Sequence, residues 1–282
     1  MPRINHNIPA MITGNSLRSV ERDLSKSLEK LSTGLRINRA ADDAAGLSVS
    51  EQLRTQVRGL NVGGRNAQDG VSLVNIAEGA LIEVEAILQR MRELSIQAAN
   101  DTLTSKERAY CEVEFDELRT EIDRIVGCTQ FNSMRLLDGS APWGTTGGVL
   151  HIGPNDNSSG NDVILITVAG VSTAALGIDL ASNVYVTSQT TATSAITALD
   201  VALNSVNELR ARLGAITNRL EHAITNQANQ EQNMQAAESV IRDADFAEET
   251  TKFTRNQILQ QSSTAMLAQA NSIPQSVLSL LK

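Results

Sequence analysis

Apolar residues recur every three or four positions along most of this chain, in two blocks that contain no proline. Proline is absent between Pro9 and Pro142, and again between Pro154 and Pro274. A spacing of three and four is typical of one buried helix face, so both ends of the chain are predicted to be long helices. Such helices must pair with each other, or with neighbouring copies, to bury their apolar faces. The pattern favours a chain built for assembly.

The first helix is predicted to begin near Ser16, with charged side chains opposite its apolar stripe. Its signal weakens at Gly34 and across residues 39–47, where RAADDAAGL indicates an interruption or a turn. A second, longer helix is predicted from about Ser48 to Ala99. The first stripe consists of Leu17, Val20, Leu24, Leu28, Leu31 and Leu35, and the second includes Leu53, Val57, Val84, Leu88 and Met91.

A third helix is predicted over about 104–126, because Thr104-Ser-Lys-Glu107 has the spacing of a capping box. In that motif the threonine side chain accepts a hydrogen bond from the Glu107 amide, and the glutamate side chain reaches back to the threonine amide. Gly127 is expected to end this helix.

Residues 139–190 differ in composition, because Gly, Ser, Thr and Asn become frequent and both central prolines fall here. The β-branched runs VLHIG, DVILITVAG and NVYVT predict short strands or hairpins. The helical pattern returns near Thr193, and a last helix is predicted from about Asp245 to Asn271, before Pro274. The stripes of these two helices include Val206, Leu209, Leu213, Ile216 and Leu220, and then Phe253, Ile258, Leu259, Met266 and Leu267.

Composition and charge narrow the class of protein. Aromatic residues make up 2% of the 282 residues, so the apolar content is aliphatic, as in helix–helix seams. The net charge is −8 and no basic cluster is present, which argues against binding to nucleic acid or to an anionic membrane. No apolar run approaches the length of about 18 residues that a spanning helix needs, and the N-terminal sequence lacks the apolar core of a secretory signal. We expect no membrane insertion, and a protein that either stays in the cytoplasm or leaves without a cleaved signal.

The residues that could carry chemistry are scattered. His6, His151 and His222 lie in three different regions without metal-ligand spacing, and surface histidines are the expectation. Asp42 and Asp43 are adjacent, so their side chains diverge and predict a polar helix junction. The glycine pairs in GGRN and TTGGV lack the strand–loop–helix setting and the lysine of a phosphate loop. An enzyme, a metal site and a cofactor are therefore not expected.

The two cysteines are not expected to form a disulfide. Cys111 falls on the apolar stripe of the third helix and Cys128 lies just beyond its predicted end. At 1.5 Å per helical residue they would be roughly 25 Å apart, whereas a disulfide needs Cα atoms within about 7 Å. We expect two free, mostly buried thiols.

The chain ends are predicted to be marginal as isolated helices. One heptad of the first stripe buries two or three aliphatic side chains, worth about 1.5–3 kcal/mol each, while fixing seven backbones costs about 7–14 kcal/mol before hydrogen bonding. We therefore hypothesise that residues 1–40 and 240–282 are poorly ordered in the monomer and become helical on packing against other copies. Sharp, dispersed NMR signals from the terminal amides of the free monomer would contradict this.

Four long motifs stand in order along the chain: LSTGLRINRAADDAAGLSVSEQLRTQVRGL (31–60), QRMRELSIQAAND (89–101), FNSMRLLDG (131–139) and NQILQQSSTAMLAQANSIPQSVLSLLK (256–282). Over roughly 1–140 and 193–282 they closely resemble the bacterial flagellins. The central segments HIGPN (151–155) and TVAGVSTAALGI (167–178) look like those of compact flagellins, including the core flagellins of spirochaetes.

The pattern and the resemblance together predict a mainly α fold, a long antiparallel coiled-coil or helical-bundle rod with a small β-hairpin region in the middle of the chain. The resemblance implies that residues 1–44 and 236–282 pair as a coiled coil in the inner tube of a filament. Residues 45–140 and 191–235 would form the rod domain, and 141–190 a short β-hairpin or variable segment. The stripes of the first and last helices would then carry the tube packing, and the other two the rod packing.

The resemblance also implies the function. The chain would be a structural subunit that polymerises into the flagellar filament, the propeller for motility. Its implied partners are further copies of itself, the flagellar cap and hook-junction proteins, an export chaperone and the type III export apparatus, with a sheath protein as a further candidate. The filament would be extracellular, or periplasmic in a spirochaete. The alternatives are a hook–filament junction protein and a secreted coiled-coil adhesin.

A second resemblance is local. In many flagellins the segment that matches Gln89, Arg90 and Leu94, with a glutamate like Glu114, is the surface recognised by Toll-like receptor 5. Packing between subunits on the rod is the alternative role, and the one we favour for these four residues.

Overall fold

The computed structural model describes residues 6–140, 142–144, 147–156, 160–182 and 184–279. The described chain is mainly helical, with two small antiparallel hairpins between the third and fourth helices, which confirms the predicted fold class. The helices are α1 (Ile8–Thr33), α2 (Ala44–Ala98), α3 (Ser105–Cys128), α4 (Gln189–Arg242) and α5 (Phe246–Ser279). The strands are β1 (Gln130–Phe131) paired with β2 (Met134–Arg135), and β3 (Gly148–His151) paired with β4 (Val163–Ile166).

Helix α1 begins two turns earlier than predicted because the sequence supplies a cap there. The Asn7 side chain accepts a hydrogen bond from the Ala10 amide at 3.1 Å, and Pro9 stands in the first turn, where a missing N–H is harmless. The helix ends at the predicted glycine. Gly34 adopts φ 73° and its amide donates to the Lys30 carbonyl at 2.8 Å, which is a left-handed C-cap.

The capping box of α3 is confirmed, but two predicted helix ends are wrong. The Thr104 amide donates to the Glu107 carboxylate at 2.6 Å, and this bond lowers the pKa of Glu107. Gly127 does not end α3, which continues to Cys128 and is capped at Thr129. Helix α5 likewise runs through Pro274 to Ser279. Neither residue type excludes a helix, because each carries only a local penalty that neighbouring turns can offset.

The strand predictions are partly right. Strands β3 and β4 confirm two of the three β-branched runs. The third is wrong, because residues 184–187 form no strand and are held instead by side chains of α3, while Asn183 lies outside the described residues. The β1–β2 hairpin was not predicted. Its turn residues Asn132 and Ser133 have φ of 48° and 64°, values that are uncommon for residues other than glycine.

The chain divides into two compact units. The terminal unit comprises the residues up to Thr55 together with those from Asn233 onward, and the central unit spans Gln56–Gln232. The sequence placed these divisions near 44 and 236 and treated 141–190 separately, and that three-part division stays a prediction. In the central unit the middle segment contributes Ile164 and Ile166 to the same core as the helices.

The core of the central unit follows the predicted helical stripes. The residues Val84, Leu88, Met91, Val206, Leu209, Leu213, Ile216 and Leu220 are all buried. Val57 is half-buried at the edge of this unit, and Leu53 is half-buried in the terminal unit. The stripes of α2 and α4 therefore meet a shared apolar interior.

Side chains of α3 hold the segment that leads into α4. The Asp123 carboxylate accepts from the Thr173 amide at 2.9 Å, and the Arg119 guanidinium donates to the Val184 carbonyl at 2.6 Å. Arg119 is buried and lies over the Phe115 ring, 5.2 Å from its centroid. Because these bonds are made to backbone atoms of residues 173 and 184, they hold the main chain of the segment in place.

The histidines lie exposed, as expected, at positions 6, 151 and 222.

Both cysteines are free, but only Cys111 is partly buried. Cys128 is exposed, which corrects the expectation of two mostly buried thiols, because α3 extends far enough to carry it into solvent. Among the described residues, no helix combines the length and apolarity needed to cross a bilayer.

Candidate assembly surface

The terminal unit contains an antiparallel helix pair, α1 with α5. At one end the Asn7 amide group donates to the Ala270 carbonyl at 2.9 Å. At the other end Leu35 forms an antiparallel bridge with Asp243, and the Ala244 amide donates to the Gly34 carbonyl at 2.9 Å. These contacts fix the register of the helix pair along its whole length.

Charged side chains stabilise the end of the helix pair at which Leu35 bridges Asp243. Arg36 donates through its guanidinium to the Ile241 carbonyl at 2.5 and 3.2 Å, which satisfies a carbonyl in the last turn of α4. Arg242 forms an ion pair with Glu51 at 2.7 Å. Asp42 accepts from two backbone amides of the turn before α2, and the bond from the Arg39 amide is the main cause of its lowered pKa. The predicted polar junction is therefore a network of turn and cap contacts.

A polar pocket of about 450 Å³ lies beside this junction. Within its wall Lys252 contacts Glu248 at 2.8 Å and Glu249 at 3.7 Å. The hydrogen bond that the Lys252 ammonium donates to the Glu248 carboxylate raises the pKa of Lys252. In the described part of the chain, no group of three or more His, Cys, Asp or Glu side chains could hold a metal ion.

The inner faces of the helix pair follow spacings of three and four but are partly polar. Four of the seven inner positions on α5 carry Glu, Asn, Gln or Ser. On α1 the inner positions are Ala10, Thr13, Leu17, Val20, Leu24, Ser27 and Leu31, and on α5 they are Glu249, Phe253, Asn256, Gln260, Ser263, Leu267 and Ala270, all of them half-buried or buried. The apolar part of this seam therefore comes mainly from α1.

Large apolar side chains lie instead on the outside of the helix pair. Leu28 is 57% exposed, and its neighbours in this set are exposed to a similar degree. We call them the outer rows: Ile8, Met11, Ile12 and Leu28 on α1, with Phe246, Ile258, Leu259 and Met266 on α5. Exposed large apolar side chains at several levels of one helix pair favour an interaction surface.

The predicted tube-packing residues therefore divide between two surfaces. Leu35 is half-buried at the end of α1, and Leu17, Val20, Leu24, Leu31, Phe253 and Leu267 are half-buried on the inner faces. Leu28, Ile258, Leu259 and Met266 belong to the outer rows. Sequence reasoning missed Ile8, Met11 and Ile12, because it started the helix at Ser16. The cap at Asn7 followed by Pro9 is the signal that could have found them.

A shallow groove of about 490 Å³ runs along the exposed face of α5. Thr250, Thr251, Thr254 and Arg255 line one part of it, and Ile258 and Leu259 line the rest. Since the threonine hydroxyls at 250, 251 and 254 bond to carbonyls one turn back in their own helix, they present methyl groups and few free polar atoms. The groove is suited to an apolar side chain from another molecule.

The four candidate receptor residues do not share one surface. Gln89 is exposed, and Arg90 forms an ion pair with Glu114 at 2.9 Å between α2 and α3. This contact raises the pKa of Arg90. Leu94 is 2% exposed and lies in the core of the central unit, so it supports the surface from below rather than forming part of it.

Both helices of the pair fall within segments shared with known proteins. Residues 4–141 match the family model of the bacterial flagellin N-terminal helical region, and residues 196–281 match that of the C-terminal helical region. A flagellin of Halalkalibacterium halodurans is 49% identical over 282 residues, covering 99% of each chain. The flagellar filament 33 kDa core protein of Treponema phagedenis is 44% identical over 286 residues, again covering 99% of each. The crystal structure of Bacillus cereus flagellin is 33% identical, covers 62% of this chain and 94% of that one, and has a TM-score of 0.49.

Proposed function

This chain belongs to the bacterial flagellin family, and from that membership we propose that the outer rows are the surfaces on which its subunits pack. The protein is a structural subunit that assembles with its own copies into the flagellar filament. What remains to be assigned is the part of the molecule that makes the lateral and axial contacts. The outer rows are the strongest candidate.

The observation that carries this proposal is the polarity of α5, which has polar side chains on its inner face and large apolar side chains on its exposed face. Glu249, Asn256 and Gln260 face inward, while Ile258, Leu259 and Met266 face solvent. Burial of apolar surface is worth about 25 cal/mol per Å², so contacts that cover the outer rows would stabilise the assembled state. An assembly in which each subunit covers its neighbours' outer rows resolves this mismatch.

The two outer rows are different surfaces, and that difference favours a helical polymer. A contact between unlike patches repeats from copy to copy without closing unless the rotation happens to form a ring. The row on α1, which includes Leu28, and the row on α5, which includes the groove beside Ile258, are such unlike patches. Residues 1–44 with 236–282 would then line the inner tube, and residues 45–140 with 191–235 the surrounding rod.

We extend the proposal to the partners that a filament subunit needs. Export through the type III apparatus with a chaperone, growth under a cap, and attachment through hook-junction proteins would bring the chain to its place outside the cytoplasm, in the extracellular space or the periplasm. A sheath protein and Toll-like receptor 5 are further candidates, the latter through Gln89, Arg90 and Glu114. No catalytic role is proposed.

The test replaces one outer-row residue by a charge. Ile258→Asp should prevent polymerisation of purified protein seeded with filament fragments, because an ionised carboxylate cannot be buried cheaply against a neighbour. Val149→Asp is the matched control, since Val149 is also exposed but lies on β3 in the central unit. Circular dichroism of both free subunits should remain that of the parent protein. Normal filaments from Ile258→Asp would overturn the assignment.

Two alternatives make different predictions for the same preparation. A hook–filament junction protein would occur in few copies per flagellum, so counting subunits separates it from a filament protein. A secreted coiled-coil adhesin would form no long polymers under electron microscopy, even with seeds. Long, seeded filaments of this chain support the proposal against both.

A further inference from the structure

The methionines of this chain are unevenly distributed between interior and surface. The sequence contains six, of which five lie among the described residues. Met91 is fully buried in the central core, and Met134 and Met234 are half-buried. Met11 and Met266 are 62% and 59% exposed, and both belong to the helix pair. Among the described methionines, the freely accessible thioethers are therefore confined to the outer rows.

The helix register brings these two methionines to the same level of the pair. The Asn7 side chain contacts the carbonyl of Ala270. Met11 lies one helical turn inward from this contact along α1, and Met266 lies one turn inward along α5. Ile8 and Ile12 are exposed beside Met11. We call Ile8, Met11, Ile12 and Met266 the end cluster, four exposed apolar side chains at this end of the helix pair, two of which carry a reactive sulfur.

We propose that Met11 and Met266 form an oxidation site that controls whether the free subunit can join a filament. This inference rests on the proposed function, because it requires assembly to bury the end cluster. The modifying reagent is a peroxide. The thioether sulfur attacks one peroxide oxygen, the O–O bond breaks, an S–O bond forms, and the second oxygen leaves as water after proton transfer. The sulfur loses two electrons and the peroxide gains them, so no further reactant is needed.

Oxidation changes the end cluster from apolar to polar. A sulfoxide carries a strong hydrogen-bond acceptor in place of a soft thioether, and burial of a polar group without a partner is unfavourable. The side chains around it, Ile8 and Ile12, offer no donor. Two sulfoxides at one level of the pair should therefore raise the critical concentration for polymerisation by roughly tenfold or more. Sulfoxides can be reduced enzymatically, so the block is reversible.

The competing explanation is that methionine serves here only as an adaptable packing residue. Leucine separates the two explanations. It has nearly the same volume and is usually tolerated in exchange for methionine, and it cannot be oxidised by peroxide. A packing role predicts that the Met11→Leu/Met266→Leu variant behaves as the parent protein in every respect. An oxidation site predicts equal assembly before peroxide and a large difference after it.

The experiment uses the full chain, treated as free subunits with hydrogen peroxide and then with dithiothreitol. The second step reverses oxidation of the thiols, which matters because Cys128 is exposed. Seeded polymerisation is then followed by light scattering, and peptide mass spectrometry measures sulfoxide at each methionine. The parent protein should lose assembly and regain it after treatment with methionine sulfoxide reductases. The Met11→Leu/Met266→Leu variant should be unaffected, and the Met134→Leu/Met234→Leu control should lose assembly like the parent.

Three results would overturn the inference. These are normal assembly of parent protein that carries both sulfoxides, an equal loss of assembly in the Met11→Leu/Met266→Leu variant, and failure of the reductases to restore assembly. A second readout needs no variant. Met11 and Met266 should oxidise at least about tenfold more slowly in preformed filaments than in free subunits, and equal rates would show that assembly leaves the end cluster exposed. Failure of untreated parent protein to polymerise would instead count against the proposed function itself.

Discussion

The buried amide of Gln227 donates a hydrogen bond to the carbonyl oxygen of Ile152, which lies directly over Gly63 in α2. Asn66 donates to the adjacent His151 carbonyl at 2.8 Å. Segment 150–154 is thus held against two helices of the central unit by side chains from each of them. It can come this close only because α2 has no side chain at position 63.

Gly63→Ala should destabilise the central unit. The added β-carbon would lie 1.9 Å from the Ile152 carbonyl oxygen, so the segment would have to move and release its bonds to Gln227 and Asn66. We expect a loss of about 1–3 kcal/mol from this overpacking, measured by urea denaturation of the free subunit.

Gly79→Ala provides the control for that measurement. Gly79 lies in the same helix, and nothing stands within 4 Å of its added β-carbon. This change should stabilise the protein by about 0.5–1 kcal/mol, because alanine favours the helix. If both variants gained stability, the close approach of segment 150–154 to Gly63 would not exist in solution.

The close contact at Gly63 could not be predicted from the sequence. The glycine pair at 63 and 64 is visible in the sequence, but the sequence assigns it no role. Its purpose depends on which distant segment passes over it, and periodicity within α2 carries no information about that. In contrast, the buried stripes were predictable because each is a property of one helix and its spacing. The capping box at Thr104 was predictable for the same reason.

Glu112 offers a pH-dependent test of the segment that precedes α4. Its carboxylate accepts from the Val186 amide at 2.5 Å. Burial is the largest influence and raises the pKa of Glu112, against the opposing effects of the Val186 bond and the Arg119 charge. A carboxyl group with a raised pKa binds its proton more tightly in the folded state than in the unfolded state. Its favourable contribution is therefore complete below the unfolded pKa and is lost as pH rises through the folded pKa.

Glu112→Gln should remove this pH-dependent loss. The glutamine carbonyl can still accept from the Val186 amide, and it carries no charge to desolvate. Urea denaturation between about pH 4.5 and 7.5 should show the variant gaining stability relative to the parent as pH rises. Glu112→Leu is the contrasting variant, because it leaves the Val186 amide without this acceptor and should lose stability throughout, by about 1–3 kcal/mol. A constant difference between parent and glutamine variant would refute the assignment.

The outer rows show the second limit of prediction from sequence. Leu24 and Leu28 were assigned to one stripe, because both fit a spacing of three and four. The structure places Leu24 on the inner face and leaves Leu28 exposed. The spacing of apolar residues shows that a helix has an apolar face. It does not show whether that face packs within the same molecule, against a neighbouring molecule, or against both.

Exchanging each leucine for aspartate should separate the two contacts. Leu24→Asp places a charge on the inner face, near the level of Phe253 in the antiparallel register, and should separate α1 from α5. It should abolish filaments while residues 48–235 stay folded, which hydrogen exchange of the central helices would show. Leu28→Asp should also abolish filaments, yet leave the bond between Asn7 and Ala270 and the protection of α1 amides as in the parent.

The informative comparison is therefore the hydrogen exchange of α1 in the free subunits. If the chain ends become ordered only on assembly, α1 amides of the parent will exchange rapidly and Leu24→Asp will add little to that rate. If the helix pair already forms in the monomer, Leu24→Asp will accelerate exchange and Leu28→Asp will not. In both cases loss of filaments with Leu28→Asp requires that a neighbouring subunit covers Leu28. Filaments that form normally with an aspartate at that position would exclude the outer row of α1 from subunit packing.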